Sequence, residues 1–135
     1  MYTNILVPVS FEGERDTVAA IEAAKAMAGD GATITLLHVI EQIPAYALTQ
    51  ASPGYLEQAR RAVEAGLDKL AKDLPNVRTV VIEGHAARAV LEYANERAVD
   101  CIIIASHRPG LQDYFLGSTA SHVVRHARCS VHVLR

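Results

Sequence analysis

Three short runs of almost unbroken Val, Ile and Leu constrain this chain more than any other feature. They are NILVPVS at 4–10, ATITLLHVI at 32–40 and the DCIIIAS run at 100–106. A strand with one face in water alternates apolar and polar residues, whereas a strand covered on both faces has no polar side to show. The runs therefore predict the central strands of a parallel sheet with helices packed on both faces. Two weaker runs, RTVVIEG at 78–84 and SVHVLR at 130–135, bring the count to five strands.

Helical periodicity fills the gaps. Residues 14–28 space Val18, Ile21, Ala24 and Ala28 as one stripe, and residues 55–74 do so with Leu56, Ala59, Val63, Leu67, Leu70 and Leu74. Residues 86–98 repeat the pattern with Ala87, Val90, Leu91 and Ala94, and residues 118–127 with Val123, Val124 and Ala127. These stripes are read as core-facing. Ser118 stands where an N-cap is expected, and Gly13, Gly84 and Gly117 fall at strand-to-helix turns. The order βαβαβαβαβ predicts an α/β fold: an open, five-stranded, mostly parallel sheet with helices on both faces, in one domain over 1–135. EQIPAYALTQASPGY at 41–55 is the one long connection, with two prolines and a glycine, and is expected to act as a lid.

Bulk composition narrows the function. The formal net charge of −2 gives no reason to expect nucleic acid. No apolar run is long enough to span a bilayer, so no membrane contact is expected. The start MYTNILVPVS lacks a basic region followed by a small-residue cleavage site. The two cysteines, Cys101 and Cys129, are expected to be reduced thiols in a cytoplasmic protein.

In open α/β sheets, ligands sit beyond the carboxyl ends of the strands, where the strand order reverses. Those ends here carry VPVS (7–10), HVIE (38–41), EGHA (83–86) and ASHRPG (105–110). Polar chemistry concentrates at the last, where Ser106, His107 and Arg108 follow the strand and Gly117-Ser118-Thr119 opens a helix. Phosphate binding needs converging backbone N–H groups, a helix N-terminus and little bulk. Gly117, Ser118 and Thr119 supply the last two plus two hydroxyls, and Arg108 offers a planar cationic fork. The same Gly-Ser-Thr start is equally read as simple capping.

Other candidates carry less. His107 is read as a loop histidine bonded to backbone ahead of an acid/base role, and His38 as a satisfied core or cleft residue. His85 is read as a helix-start residue. His122 and His126, four apart on one helix, have metal-ligand spacing without the further ligands of a structural zinc site. There is no Gly-x-Ser-x-Gly elbow, no Walker Gly-x4-Gly-Lys-Ser/Thr sequence, and no carboxylate pair placed for magnesium.

Along its full length the chain resembles the universal stress protein (UspA) family. The carrying residues are NILVPVS, LLHVIE, EGHAARAVLEYA, DCIIIASHRPG and LGSTASHVVRHARCSVHVLR. The final block is similar to the nucleotide-binding branch, whose motif is Gly-x2-Gly-x9-Gly-Ser/Thr. The resemblance implies ATP, ADP or AMP as ligand, with Mg2+ carried by the nucleotide. It also implies a homodimer through the last strand, Ser130 to Arg135, and an unidentified regulatory protein partner that reads the nucleotide-ordered state.

The resemblance also assigns positions. Pro8, Val9 and Ser10 fall where the family's first loop lines adenine and ribose, and Val39 where a residue after the second strand packs on adenine. Ala105 and Arg108 stand at the first two motif glycines, with Ser106 and His107 between them. Gly117 and Ser118 match the final pair, and Thr119 is the next donor. Arg108 and Gly117 are separated by eight residues where the family has nine, and Ser10 replaces an aspartate. ASHRP resembles the variant loop of the branch typified by UspF and UspG, and is read as an altered site that grips phosphate with an arginine side chain. The alternatives are a dimeric scaffold that binds no nucleotide, and a slow ATP hydrolase or phosphotransferase using His107 or Ser118.

Overall fold

Ile5, Val7 and Val9 point to one side of the sheet and Leu6 to the other, and both sides are buried. The same split separates Leu36 from Leu37, and Cys101 and Ile103 from Ile102 and Ile104. Two-sided burial is why these runs carry no polar alternation. The structure, a computed structural model, describes residues 1–10, 14–41, 53–72, 74–106 and 117–135.

In chain order the described elements are β1 (Tyr2–Pro8), α1 (Glu14–Met27), β2 (Ala28–Ile40), α2 (Tyr55–Ala71), β3 (Val77–Glu83), α3 (Ala86–Glu96), β4 (Cys101–Ala105), α4 (Ser118–His126) and β5 (Ser130–Leu134). The strands form one sheet in the order β3-β2-β1-β4-β5, and every pairing is parallel. Side chains of α1 and α2, among them Ile21, Ala24 and Leu67, pack on one face. Side chains of α3 and α4, among them Val90, Tyr93 and Val123, pack on the other. The order reverses between β1 and β4, so a crevice opens beyond their carboxyl ends.

Three helical stripes differ from the sequence reading. On α1 the buried set is Thr17, Ala20, Ile21 and Ala24, while Val18 is 49% exposed and Ala28 already belongs to β2. Ile21 and Ala24 are buried as expected, and Thr17 and Ala20, not Val18, complete the buried face. On α2 only Leu67 is fully buried, and Leu56 is 45% exposed, so the stripe is core at its middle and not at its start. On α4 Val123 is buried and Val124 is exposed, because residues one apart on a helix do not share a face. β2 also starts earlier than expected. Tyr2 pairs with Ala28 but Asn4 with Thr33, so Gly29-Asp30-Gly31 is accommodated as an irregularity in the strand, with Gly31 at φ 73°.

At the amino ends of the same two strands, Asp100 staples β4 to β1. It accepts from the Thr3 N–H at 2.9 Å, the Thr3 hydroxyl at 3.0 Å and the Asn4 N–H at 3.0 Å. Asn4 answers by donating from Nδ2 to the Arg97 carbonyl at 2.8 Å. Both cysteines are free. Cys101 lies in the α1–α2 side of the core and Cys129 packs on the α3–α4 side. Burial, then the neighbouring Cys129 and Asp100, push the Cys101 thiol up to about 11, so it is an inert core group.

Candidate functional site

A cavity of about 470 Å³ lies in the crevice beyond β1, β2 and β4. Its walls are built from the ends of strands and the first turns of helices. β1 delivers Pro8, Val9 and Ser10, and β2 delivers Leu37, His38, Val39 and Glu41 at its end. β4 contributes Ile104, Ala105 and Ser106. Asp16, Thr17 and Ala20 come from α1, Ala86 and Val90 from α3, and Ser118, Thr119 and Ala120 from α4 behind Gly117.

The first loop is fixed by hydrogen bonds that outlast the strand ladder. Val9 donates its N–H to the Leu37 carbonyl at 2.8 Å. The Val9 carbonyl accepts from His38 Nδ1–H at 2.7 Å. The Thr17 hydroxyl donates to the Ser10 carbonyl at 3.1 Å. Val9 is thereby tied to β2 and Ser10 to α1, which holds both in place at the cavity rim. His38 is thus a satisfied cleft residue.

On the opposite wall, Ser106 is buried and turned toward β5. Its N–H and its hydroxyl both donate to the Leu134 carbonyl, at 2.9 and 3.0 Å. With its one hydroxyl proton committed, Ser106 can offer a ligand only acceptor lone pairs. Its main contribution is to join the tip of β4 to the end of β5.

The start of α4 is the cavity's electropositive feature. Gly117, at φ −61° and ψ 159°, is the N-cap, and among the described residues no side chain caps the first N–H groups. Ser118, expected as the cap, is the first helical residue instead. The Gly117 carbonyl already receives the Ser121 N–H at 2.9 Å, which makes Gly117 the half-helical position. A helix beginning on a bare glycine leaves its donors open to an anion, and the macrodipole adds about half a positive charge there. α4 also carries no acidic residue in its first turn, while Arg125 and His126 sit in its last.

Nine of the expected site residues share this one cavity: Pro8, Val9, Ser10, Val39, Ala105, Ser106, Gly117, Ser118 and Thr119. His107 and Arg108 lie outside the described residues, as do Gly13, Gly110 and most of the 41–55 connection. His85 is the N-cap of α3 and is not in the cavity wall. The residues that sequence reasoning missed are the polar groups of α1 and the end of β2. Asp16 ends the acidic stretch FEGERD, and Glu41 stands right after a strand's carboxyl end, a position that itself signals a crevice residue. The described wall carries these two carboxylates and no lysine or arginine. Among the described residues no three His, Cys, Asp or Glu side chains gather to hold a metal, and no helix is long and apolar enough to cross a membrane.

Comparison with known proteins agrees with this architecture. The family model described as Universal stress protein family matches residues 1–135. Universal stress protein G of Escherichia coli O157:H7 is 31% identical over 143 aligned positions, covering all of both chains. The solved structure of universal stress protein UspA from Lactobacillus plantarum is 29% identical, with a TM-score of 0.73 over 99% of this chain and 98% of that one. That of the hypothetical protein MJ0577 reaches a TM-score of 0.84 at 23% identity, over 99% and 96% of the two chains. Two further structures share the fold at TM-scores of 0.64 and 0.65, with 20% and 17% identity and at least 97% of each chain covered. One is a universal stress protein in complex with cAMP, and the other, from Archaeoglobus fulgidus, is in complex with dAMP. The chain belongs to the universal stress protein family.

Proposed function

We propose that this cavity binds an adenine nucleotide, ATP, ADP or AMP, and that the protein is a cytoplasmic regulatory module without robust catalysis. The observation that carries the reading is the meeting, in one cavity at the switch point, of an α4 N-terminus that begins on a glycine with apolar residues at the ends of β1 and β2. Val9 and Val39 suit a flat base, and Gly117, Ser118 and Thr119 suit phosphate oxygens. A volume of about 470 Å³ falls in the range of small-ligand pockets. The cAMP and dAMP bound by relatives of the same fold support the ligand class. Mg2+ would arrive on the phosphates, with Asp16 and Glu41 as the carboxylates within the cavity.

The homodimer through β5 belongs to this reading. β3 and β5 are the two edges of the sheet. On β3, Arg60 from α2 donates to the Val81 carbonyl at 3.1 Å and lies 3.8 Å from Glu83, which blunts that edge. β5 has an apolar Val131-x-Val133 core, and pairing with a second copy would bury it. A partner protein would read the nucleotide-bound state.

Calorimetric titration of ligand-stripped protein with each nucleotide tests the proposal. Binding by at least one of them tighter than about 1 mM, near −4 kcal/mol, is expected. No heat from any of the three leaves a dimeric scaffold as the remaining reading.

A further inference from the structure

We propose that His122 and His126 form a surface chelate for a borderline divalent transition-metal ion of the Cu2+, Ni2+ and Zn2+ class. The two are one turn apart on the same face of α4. Both side chains are exposed. Their ring centres are 4.6 Å apart and the planes are tilted by 42°.

That separation is what a shared ion requires. An imidazole nitrogen binds Zn2+ at about 2.1 Å, which places the ion roughly 3 Å beyond the ring centre. Two imidazoles in neighbouring coordination positions then have ring centres roughly 4.5–5 Å apart. The helix sets the two residues one turn apart and their side-chain torsions bring the rings to this spacing, so chelation needs only small rotations that turn one nitrogen of each ring toward the shared ion. His126 also ends the helix, where the negative end of the macrodipole favours a cation.

Arg125 and Arg128 oppose binding by like charge, and both are exposed. Their long side chains can swing into solvent, and in water that repulsion is strongly screened. Affinity at such a site follows ligand softness and metal type, with Cu2+ tightest. His132 does not join. Val131 and Val133 pack on the α3–α4 side of the sheet, so strand alternation turns His132 to the other face. With two protein ligands, the ion keeps open positions for water or for a donor from another molecule, which makes this an exchangeable binding site and not a structural one. It is separate from the cavity, since α4 presents its N-terminus there and its C-terminus here.

Titration of the intact protein with Cu2+, followed by NMR of the imidazole protons, tests the assignment. Signals of His122 and His126 should broaden first, below one equivalent, ahead of every other histidine. His122→Asn and His126→Asn should each weaken Cu2+ binding roughly tenfold or more by calorimetry, and His132→Asn should leave it unchanged. Both changed positions are exposed, so the variants should keep the wild-type circular dichroism. Simultaneous broadening of all exposed histidines, or wild-type affinity in a folded His122→Asn variant, would overturn the proposal.

Discussion

His38 donates from Nδ1 to the Val9 carbonyl at 2.7 Å, while Val9 donates its own N–H to the Leu37 carbonyl. Val9 is 5% exposed, so its backbone groups depend on these partners. In a neutral His38 ring the bond also places the proton on Nδ1, which makes Nε2 the acceptor nitrogen. His38→Ala is expected to lose about 1–3 kcal/mol of stability through the orphaned carbonyl and to weaken nucleotide binding as the first loop loosens. His38→Asn, whose amide can replace the Nδ1–H donor, should recover much of the stability. Urea denaturation of the two variants checks this, and equal stability loss in both would deny the bond its role.

Gly117 separates phosphate binding from capping. A Cβ at this position would lie 3.8 Å from the Ser106 carbonyl oxygen, an ordinary contact, and φ is −61°, which any residue tolerates. Gly117→Ala should therefore fold normally. Gly117→Asp should do more: its carboxylate caps the open N–H groups, which adds about a few tenths of a kcal/mol of stability over glycine. The same carboxylate occupies the anion site and repels phosphate. We expect nucleotide affinity to fall at least about tenfold, or roughly 1.4 kcal/mol, in a protein as stable as wild type. A Gly117→Asp variant with undiminished ATP affinity by calorimetry would move the phosphates away from α4.

What the sequence made legible follows from where its information is local. Continuous Val/Ile/Leu runs mark buried parallel strands because two-sided burial leaves no polar positions, and the all-parallel sheet bears this out. The carboxyl-end rule then gathers Ser10, Val39 and Gly117 at one crevice although they are far apart in the chain. That Thr17 and Ala20, and not Val18, face the core was not legible, since the buried face of a helix depends on what it packs against as well as on its own apolar residues. Nor was the Asp100 staple, whose partners Thr3 and Asn4 lie nearly the whole chain away. Ser118 misled for a different reason: both it and Gly117 are acceptable caps, and the carbonyl that meets Ser121 decides between them.

The Asp100 staple gives the fold a signed acid dependence. Partial burial raises the carboxyl's pKa, but donation from the Thr3 and Asn4 N–H groups and the Thr3 hydroxyl outweighs it, so the net value lies below the ordinary 3.8. A carboxylate held down in this way stabilises the fold fully above its unfolded pKa, and that stability is lost as pH falls through the lowered folded value. Asp100→Asn should be less stable than wild type by about 1–2 kcal/mol at neutral pH. The gap should stay level down to about pH 5 and close below about pH 4. Denaturation midpoints measured from pH 7 to pH 2.5 give the comparison, and a gap that does not narrow in acid would show that the carboxylate's charge is not what holds β1 to β4.

Phosphate count is the remaining variable, and the charges of the cavity decide how it is read. Asp16 and Glu41 line the described wall, and its positive elements are the α4 N-terminus and its donors. A triphosphate therefore meets more repulsion than a monophosphate unless a cation intervenes. Two sources of positive charge are at hand: Mg2+ on the nucleotide, and Arg108, which the sequence places between β4 and α4. Mg2+ should strengthen ATP binding more than AMP binding. Arg108→Gln should weaken ATP by about 10- to 100-fold, the equivalent of one charge-assisted hydrogen bond, with a smaller loss for AMP. Asp16→Asn should raise ATP affinity when Mg2+ is removed by a chelator, because one of the two repelling carboxylates is gone. Calorimetry across the three proteins and two nucleotides, with and without Mg2+, reads all these differences. Equal ATP and AMP responses throughout would mean that the phosphates lie outside the field of these groups.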